Sequence, residues 1–293
     1  MTRTMFVRVL ACAALACSSA GFAADTAPRT PASDLPDPET AIWKKLKSSL
    51  FENRPLSSGA LELMAPARAE DGAVVPIAIR AKSLQRPDLY IRRIYLIVDN
   101  NPSPLAAVID LTPESGRADI ETRIRVEQYS YVRAVAELSD GTLSVQARFV
   151  KASGGCSAPA GGDAAAVGRT GRMRLAVDGD GAYGEPVAAQ LMVSHPNHSG
   201  LAMDQLTRLY TPAYFVRSVK VSYAGKPVLA AEVDFSISEN PYFRFYFVPH
   251  EPGELKAEVT DTKELKFETA AAVQRGASRV QGRAAPVPDR RAP

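Results

Sequence analysis

Between Leu61 and Val150 apolar and polar residues alternate in short runs: Val75, Ile77 and Ile79, then Ile94, Leu96 and Val98, then Ile120, Thr122, Ile124 and Val126. Alternation with a period of two puts one set of side chains on one face of an extended chain, so these runs predict half-buried strands. Val132 to Leu138 and Leu143 to Val150 continue the series, joined by Ser139-Asp140-Gly141, a hairpin-type turn. Asp99-Asn100-Asn101-Pro102 marks another turn, and Pro76 and Pro87 belong at strand edges or ends. A second strand-rich region runs from Met173 to Phe267 and includes Val187–Val193, Val216–Tyr223, Val228–Phe235, Tyr242–Val248 and Leu255–Thr260. Turns at Ala224-Gly225-Lys226-Pro227 and Glu251-Pro252-Gly253 separate some of these. Helical spacing precedes both regions: Ile42, Trp43, Leu46 and Leu50 form one apolar face, with Lys44, Lys45 and Lys47 pointing away. Asp37-Pro38-Glu39 reads as its start, with Asp37 as N-cap, and Asn53-Arg54-Pro55 as its end. The pattern predicts an all-β protein of two immunoglobulin-like β-sandwiches, over residues 37–150 and 173–267, with one N-terminal helix before the first.

The segments without periodicity complete the layout. Residues 151–172 hold six glycines (154, 155, 161, 162, 168 and 171) with alanines and one proline, which leaves little to bury and predicts a linker. Residues 24–36 read as a disordered lead-in and 268–293 as a disordered tail. Residues 1–23 read as a secretory signal: Arg3 and Arg8 come first, Val9 to Ala16 is a short apolar run, and Gly21-Phe22-Ala23 offers a cleavage site. That run is too short to span a bilayer, and nothing later is long enough. The expected location is the periplasm, with no membrane span. Acylation of Cys17 instead of cleavage after Ala23 is the alternative. The leader carries two of the 35 basic residues and none of the 32 acidic ones, so the exported chain is close to neutral. A neutral surface argues against a nucleic-acid partner.

Of the three cysteines, Cys12 and Cys17 lie in the leader, which leaves Cys156 without an internal disulfide partner. It follows Gly154 and Gly155, whose missing side chains suit a slim, mobile arm. A thiol on such a mount can carry cargo, couple to another molecule or be an idle remnant, since a thiolate attacks electrophilic sulfur and the new S–S bond can later be cut. His195 and His198 are spaced like a weak metal pair, and a copper or metal chaperone using them with Cys156 is a further reading. No metal site is assigned. With three histidines, no phosphate-binding glycine loop before a helix and no obvious acid pair, the chain is not expected to be an enzyme or to need a cofactor.

Particular residues resemble a known pair of families. Val193 to Gly200 (VSHPNHSG) resembles the Ser-His-Pro…Ser-Gly segment of SoxZ, as do Ser218 to Val221, Gly225-Lys226, and Ser236 to Phe243 (SISENPYF). The first half resembles SoxY: a leading helix, Val98 to Pro102, Val132 to Glu137, and Lys151 to Cys156 (KASGGC). The resemblance spans roughly residues 37–267. It implies a fused form of the SoxY–SoxZ carrier of sulfur-oxidising bacteria, with Cys156 as the covalent attachment point and Gly154 and Gly155 lending the arm its flexibility. It also implies partners among periplasmic sulfur-oxidation enzymes and c-type cytochromes, or a quinoprotein dehydrogenase system, beside which fused relatives also occur. This chain departs from the pattern where Cys156 is followed by Ser157-Ala158-Pro159 rather than two glycines, and where its arm is tethered at both ends. A non-covalent binding or assembly module for such a dehydrogenase is the alternative function.

Overall fold

The computed structural model describes residues 38–83, 85–158, 168–179, 182–204 and 207–274. The expected leader, the lead-in, the centre of the linker and the end of the tail lie outside the described residues. Among the described residues one α-helix, α1 (Ala41–Phe51), is followed by fifteen strands: β1 (Leu56–Ser57), β2 (Leu61–Met64), β3 (Val75–Ala81), β4 (Ile91–Val98), β5 (Leu105–Leu111), β6 (Ile120–Ile124), β7 (Ser130–Leu138), β8 (Leu143–Val150), β9 (Met173–Val177), β10 (Val187–Val193), β11 (Val216–Tyr223), β12 (Lys226–Val233), β13 (Tyr242–Phe247), β14 (Gly253–Asp261) and β15 (Lys266–Val273). The alternation read from sequence is real: β3 buries Val75, Ile77, Ile79 and Ala81 and turns its other residues outward. Pro76 sits on β3 beyond the end of β2, whose pairing covers only Ala78 to Ala81. Its missing N–H therefore costs no bond to that neighbour.

Each half of the chain is an immunoglobulin-like sandwich. The N-terminal half supplies β1, β8, β7, β4 and β5 to one sheet and β2, β3 and β6 to the other. The C-terminal half supplies β12, β11, β14 and β15 to the first and β13, β10 and β9 to the second. The halves are not separate bodies laid face to face. Edge strand β5 pairs antiparallel with β12, from Ala107 opposite Val233 to Leu111 opposite Leu229. On the opposite layer β6 meets β13 at Glu121 and Arg244. The result is one nine-stranded and one six-stranded sheet enclosing a continuous core, in which Ile109 and Ile124 of the first half pack with Leu229, Phe243 and Phe245 of the second. Pairing these edges satisfies backbone donors and acceptors that would otherwise be exposed to non-native strand partners.

Two boundaries differ from the sequence reading, and so does the helix's buried face. The helix is capped by Thr40, whose hydroxyl accepts from Trp43 N at 3.0 Å, rather than by Asp37. The carbonyl of Pro38 is taken instead by the buried Arg133 guanidinium at 2.8 Å. The helix buries Trp43 and Phe51, while Ile42 is exposed. The chain also does not unravel at Phe267: β15 continues to Val273, in register with β14 from Thr260–Lys266 to Gly253–Val273.

Candidate functional site

The strand β8 ends at Val150, and the chain does not leave the surface there. Lys151 N donates to Ala67 O at 3.0 Å, and Lys151 O accepts from Ala69 N at 3.2 Å. The next residues form a strap laid along the segment after β6: Gly154 N donates to Glu127 O at 2.8 Å and Gly155 N to Val126 O at 3.1 Å. On its other side Val126 N donates to Gly72 O at 2.8 Å. In this structure Gly154 and Gly155 lie docked on the sandwich and not on a free arm. Gly155 is required because the strap passes so close to its bed that an added Cβ would lie 2.0 Å from Gly72 O. Gly154 has open space around it but a left-handed backbone, φ +74°, which glycine adopts without the Cβ penalty. The far end of the expected linker is tied down as well, with Gly171 N donating to Ser194 O at 2.8 Å.

Cys156 closes the strap in a single turn, with Ala158 N donating to Gly154 O at 2.8 Å. The cysteine is 1% exposed. Its amide donates to Glu127 Oε2 at 2.7 Å, Ser157 N reaches the same oxygen at 3.1 Å, and Ser157 Oγ donates to Glu127 Oε1 at 2.9 Å. From the C-terminal half, the Ser199 hydroxyl donates to Cys156 O. Burial pushes the thiol up to about 12, the Glu127 carboxylate adds to that, and the Arg125 guanidinium opposes it. A docked Cys156 is thus a neutral thiol near pH 7.

The bed beneath the strap is built from both halves. Arg125 is buried, and one of its terminal nitrogens donates to Asn197 O (2.8 Å), Phe235 O (2.9 Å) and Ile237 O (3.0 Å). Its backbone N–H donates to Ser236 O at 2.7 Å. Burial lowers the Arg125 pKa from its ordinary value, opposed by the charges around it. Asn101 completes the seam: its amide nitrogen donates to Arg125 O (2.8 Å) and Ser236 Oγ (3.0 Å), and its oxygen accepts from Glu127 N (2.9 Å). The sequence marks Asn101 only as a turn residue and gives no sign of Gly72, Arg125 or Glu127. Their roles depend on contacts with residues distant along the chain.

Two family models tile the chain around this seam. The sulfur oxidation protein SoxY model matches residues 47–156, ending on Cys156, and the sulphur oxidation protein SoxZ model matches residues 176–272. The chain is a fused SoxYZ-like protein. SoxY and SoxZ make it a sulfur-oxidation carrier protein, with the strap at the end of its SoxY half. Among solved structures, the sulfur carrier protein SoxY from Chlorobium limicola f thiosulfatophilum is 24% identical, covering 38% of this chain and 96% of that one at a TM-score of 0.32. A superoxide reductase (neelaredoxin) from Ignicoccus hospitalis is 10% identical, covering 37% of this chain and 90% of that one at a TM-score of 0.30. No curated protein matches the chain.

In the SoxZ half His195 and His198 are apart in role. His195 is buried against the Tyr214 ring, 4.4 Å between centroids. Its Nδ1 accepts from Asn197 N at 3.1 Å, and its Nε2 faces Asp261 Oδ2 at 3.6 Å, too long for a hydrogen bond. The Ile237-to-Tyr242 motif holds this histidine in place, with Asn240 N donating to His195 O at 2.8 Å and Asn240 Oδ1 accepting from His195 N at 3.2 Å. Both ring nitrogens of His195 therefore already face protein groups. His198 is half-buried and pairs through its backbone with Tyr214. Among the described residues no group of three or more His, Cys, Asp or Glu side chains is placed to hold a metal ion.

Burial holds the His195 imidazole down at about 4, with Asp261 opposing. The unfolded chain protonates this histidine near 6.5 and the folded chain only near 4. Its contribution to stability is therefore complete above pH ~6.5 and is lost as pH falls toward ~4, by at most about 1.4 kcal/mol per pH unit. Urea unfolding at pH 7 and pH 5 should show this loss, and His195→Gln should flatten it. An equal slope in both proteins would assign the acid sensitivity to another group.

Proposed function

We propose that this SoxYZ-like protein carries a sulfur intermediate covalently on the Cys156 sulfur and presents it in turn to sulfur-oxidation enzymes. The observation that carries this reading is the position of Cys156. It is the last residue matched by the SoxY model, and it lies on the seam where the SoxZ half, through Ser199 and the carbonyls around Arg125, meets the SoxY half. It is also the free cysteine among the described residues.

The chemistry follows from the thiol. Thiolate attack on a donor S–S bond forms the Cys156 S–S bond and releases the donor's outgoing sulfur as a thiolate, with no net oxidation. Loading by direct coupling to a reduced sulfur compound removes two electrons, which a c-type cytochrome partner would accept. The protein supplies the attachment point and its partners supply catalysis. The leader read at residues 1–23 supports a periplasmic setting, where such cytochromes work.

The test is intact-mass spectrometry of the protein purified from its own host under inducing growth, with and without reductant, followed by peptide mapping. A reductant-labile adduct on Cys156, about 32 Da or a multiple for added sulfur atoms, is the expected result. An unmodified thiol under those conditions overturns the carrier reading.

A further inference from the structure

Cys156 can react only after it leaves the position in which it is seen. At 1% exposure its sulfur is closed off from any partner's active site, and close-packed surroundings leave no room for an added sulfur atom without displacing neighbours. Loading must therefore pass through an opened strap, and the contacts that hold the strap shut set how often the thiol is offered. Two are single neutral backbone bonds: Gly154 N to Glu127 O and Gly155 N to Val126 O. One is different in kind. The Glu127 carboxylate takes three donors from two successive residues, Cys156 N, Ser157 N and Ser157 Oγ, at 2.7, 3.1 and 2.9 Å. Bonds to an ionised acceptor are roughly twice as strong as neutral ones. They also sit at the solvent-facing lip of the strap, where Ser157 is exposed.

We propose that Glu127 is a positioning residue that latches the Cys156 strap shut and so governs the rate at which the thiol can be loaded. This rests on the carrier reading of Cys156. Ser157 is the other half of the latch, since its hydroxyl supplies the donor to Glu127 Oε1. The carboxylate also acts on the thiol directly, since its negative charge disfavours the thiolate. Opening the latch therefore both exposes the sulfur and removes a charge that suppresses its ionisation.

The experiment is alkylation of Cys156 by iodoacetamide in the exported chain at pH 7.5, followed by mass spectrometry, in wild type, Glu127→Ala, Ser157→Ala and the double variant. The wild-type protein should label far more slowly than free cysteine. Glu127→Ala should label about tenfold faster or more, as expected for losing charge-assisted bonds, and Ser157→Ala a few-fold faster. The double variant should label no faster than Glu127→Ala, because the Ser157 hydroxyl acts through the carboxylate. Amide exchange in β4 and β7 should stay unchanged in all four, which a general loosening of the fold would not allow. Labelling of Glu127→Ala within twofold of wild type overturns the latch, and so does a double variant whose rate is the product of the two single effects. The adduct measurement stands apart from this one. A Glu127-dependent rate in a chain that never carries an adduct upholds the latch and overturns the carrier reading; a loaded Cys156 with a Glu127-independent rate does the reverse.

Discussion

Gly155→Ala is expected to expel the strap from its bed and raise the alkylation rate of Cys156 by about a hundredfold or more. The new Cβ would lie 2.0 Å from Gly72 O and 2.7 Å from Val126 N. Both are backbone atoms of the bed, so no side-chain rotation relieves the clash. Crowding that flexible side chains can share costs about 1–3 kcal/mol; a backbone-to-backbone collision costs more, and every ~1.4 kcal/mol is tenfold in the open fraction. Gly154→Ala is the control. Its Cβ meets nothing within 4 Å, and the left-handed φ of +74° alone costs about 1–2 kcal/mol. It should raise the rate about tenfold. Had both glycines served only to keep an arm mobile, the two variants would label alike, and that result would return the strap to a free arm. The sandwich should be untouched in either case, so the unfolding midpoint in urea should move little.

The alternation along β3, β4, β6 and β7 announces a sandwich because each strand has one face in the core and one in solvent, and a period of two follows from that geometry. The joining of the halves leaves no such trace. The joining strand β5, Leu105–Leu111, is buried on both faces over part of its length through small residues such as Ala106 and Ala107. Two-sided burial erases the alternation that sequence reading relies on. β15 is hidden for a related reason: its inward residues include Ala271 and Val273, and its run of alanines resembles the tail that follows. At the site, a lone cysteine after two glycines is conspicuous, and the SoxY resemblance singles it out. That the cysteine is buried depends on Gly72, Val126 and Glu127, none of which belongs to a motif. A glycine chosen for close approach and one chosen for mobility are the same letter, and only the neighbouring backbone tells them apart.

Arg133→Met should cost about 3–5 kcal/mol of stability, the scale for stranding a buried charge, and should loosen the thiol site as well. Arg133 is fully buried and clamps Asp99 with two parallel bonds, Nε to Oδ1 and Nη2 to Oδ2, both 2.8 Å. Its guanidinium also stacks over the Trp43 ring at 4.5 Å and donates to Pro38 O, while Thr40 Oγ1 donates to Asp99 Oδ2 at 3.0 Å. One ion pair therefore fastens helix α1 to the sheet at its cap and at its buried tryptophan. Removing the cation leaves the Asp99 carboxylate enclosed without its strongest partner, and this penalty exceeds the modest net worth of the intact pair. Arg133→Met combined with Asp99→Asn should accordingly be more stable than Arg133→Met alone, since no charge is then stranded. The consequence for function runs through the same turn. Asp99 N donates to Tyr131 O at 3.0 Å, Asn100 reaches Ser130 Oγ and Tyr129 O at 3.0 and 2.7 Å, and Asn101 holds Glu127 N at 2.9 Å. A turn freed from its anchor at Asp99 holds Glu127 less firmly, so Cys156 in Arg133→Met should alkylate several-fold faster under conditions where the protein remains folded. Urea titration gives the first quantity and labelling well below the unfolding midpoint gives the second. A destabilised variant whose labelling rate matches wild type would show that the helix anchor and the strap are energetically independent, and that Glu127 is held by the segment between β6 and β7 alone.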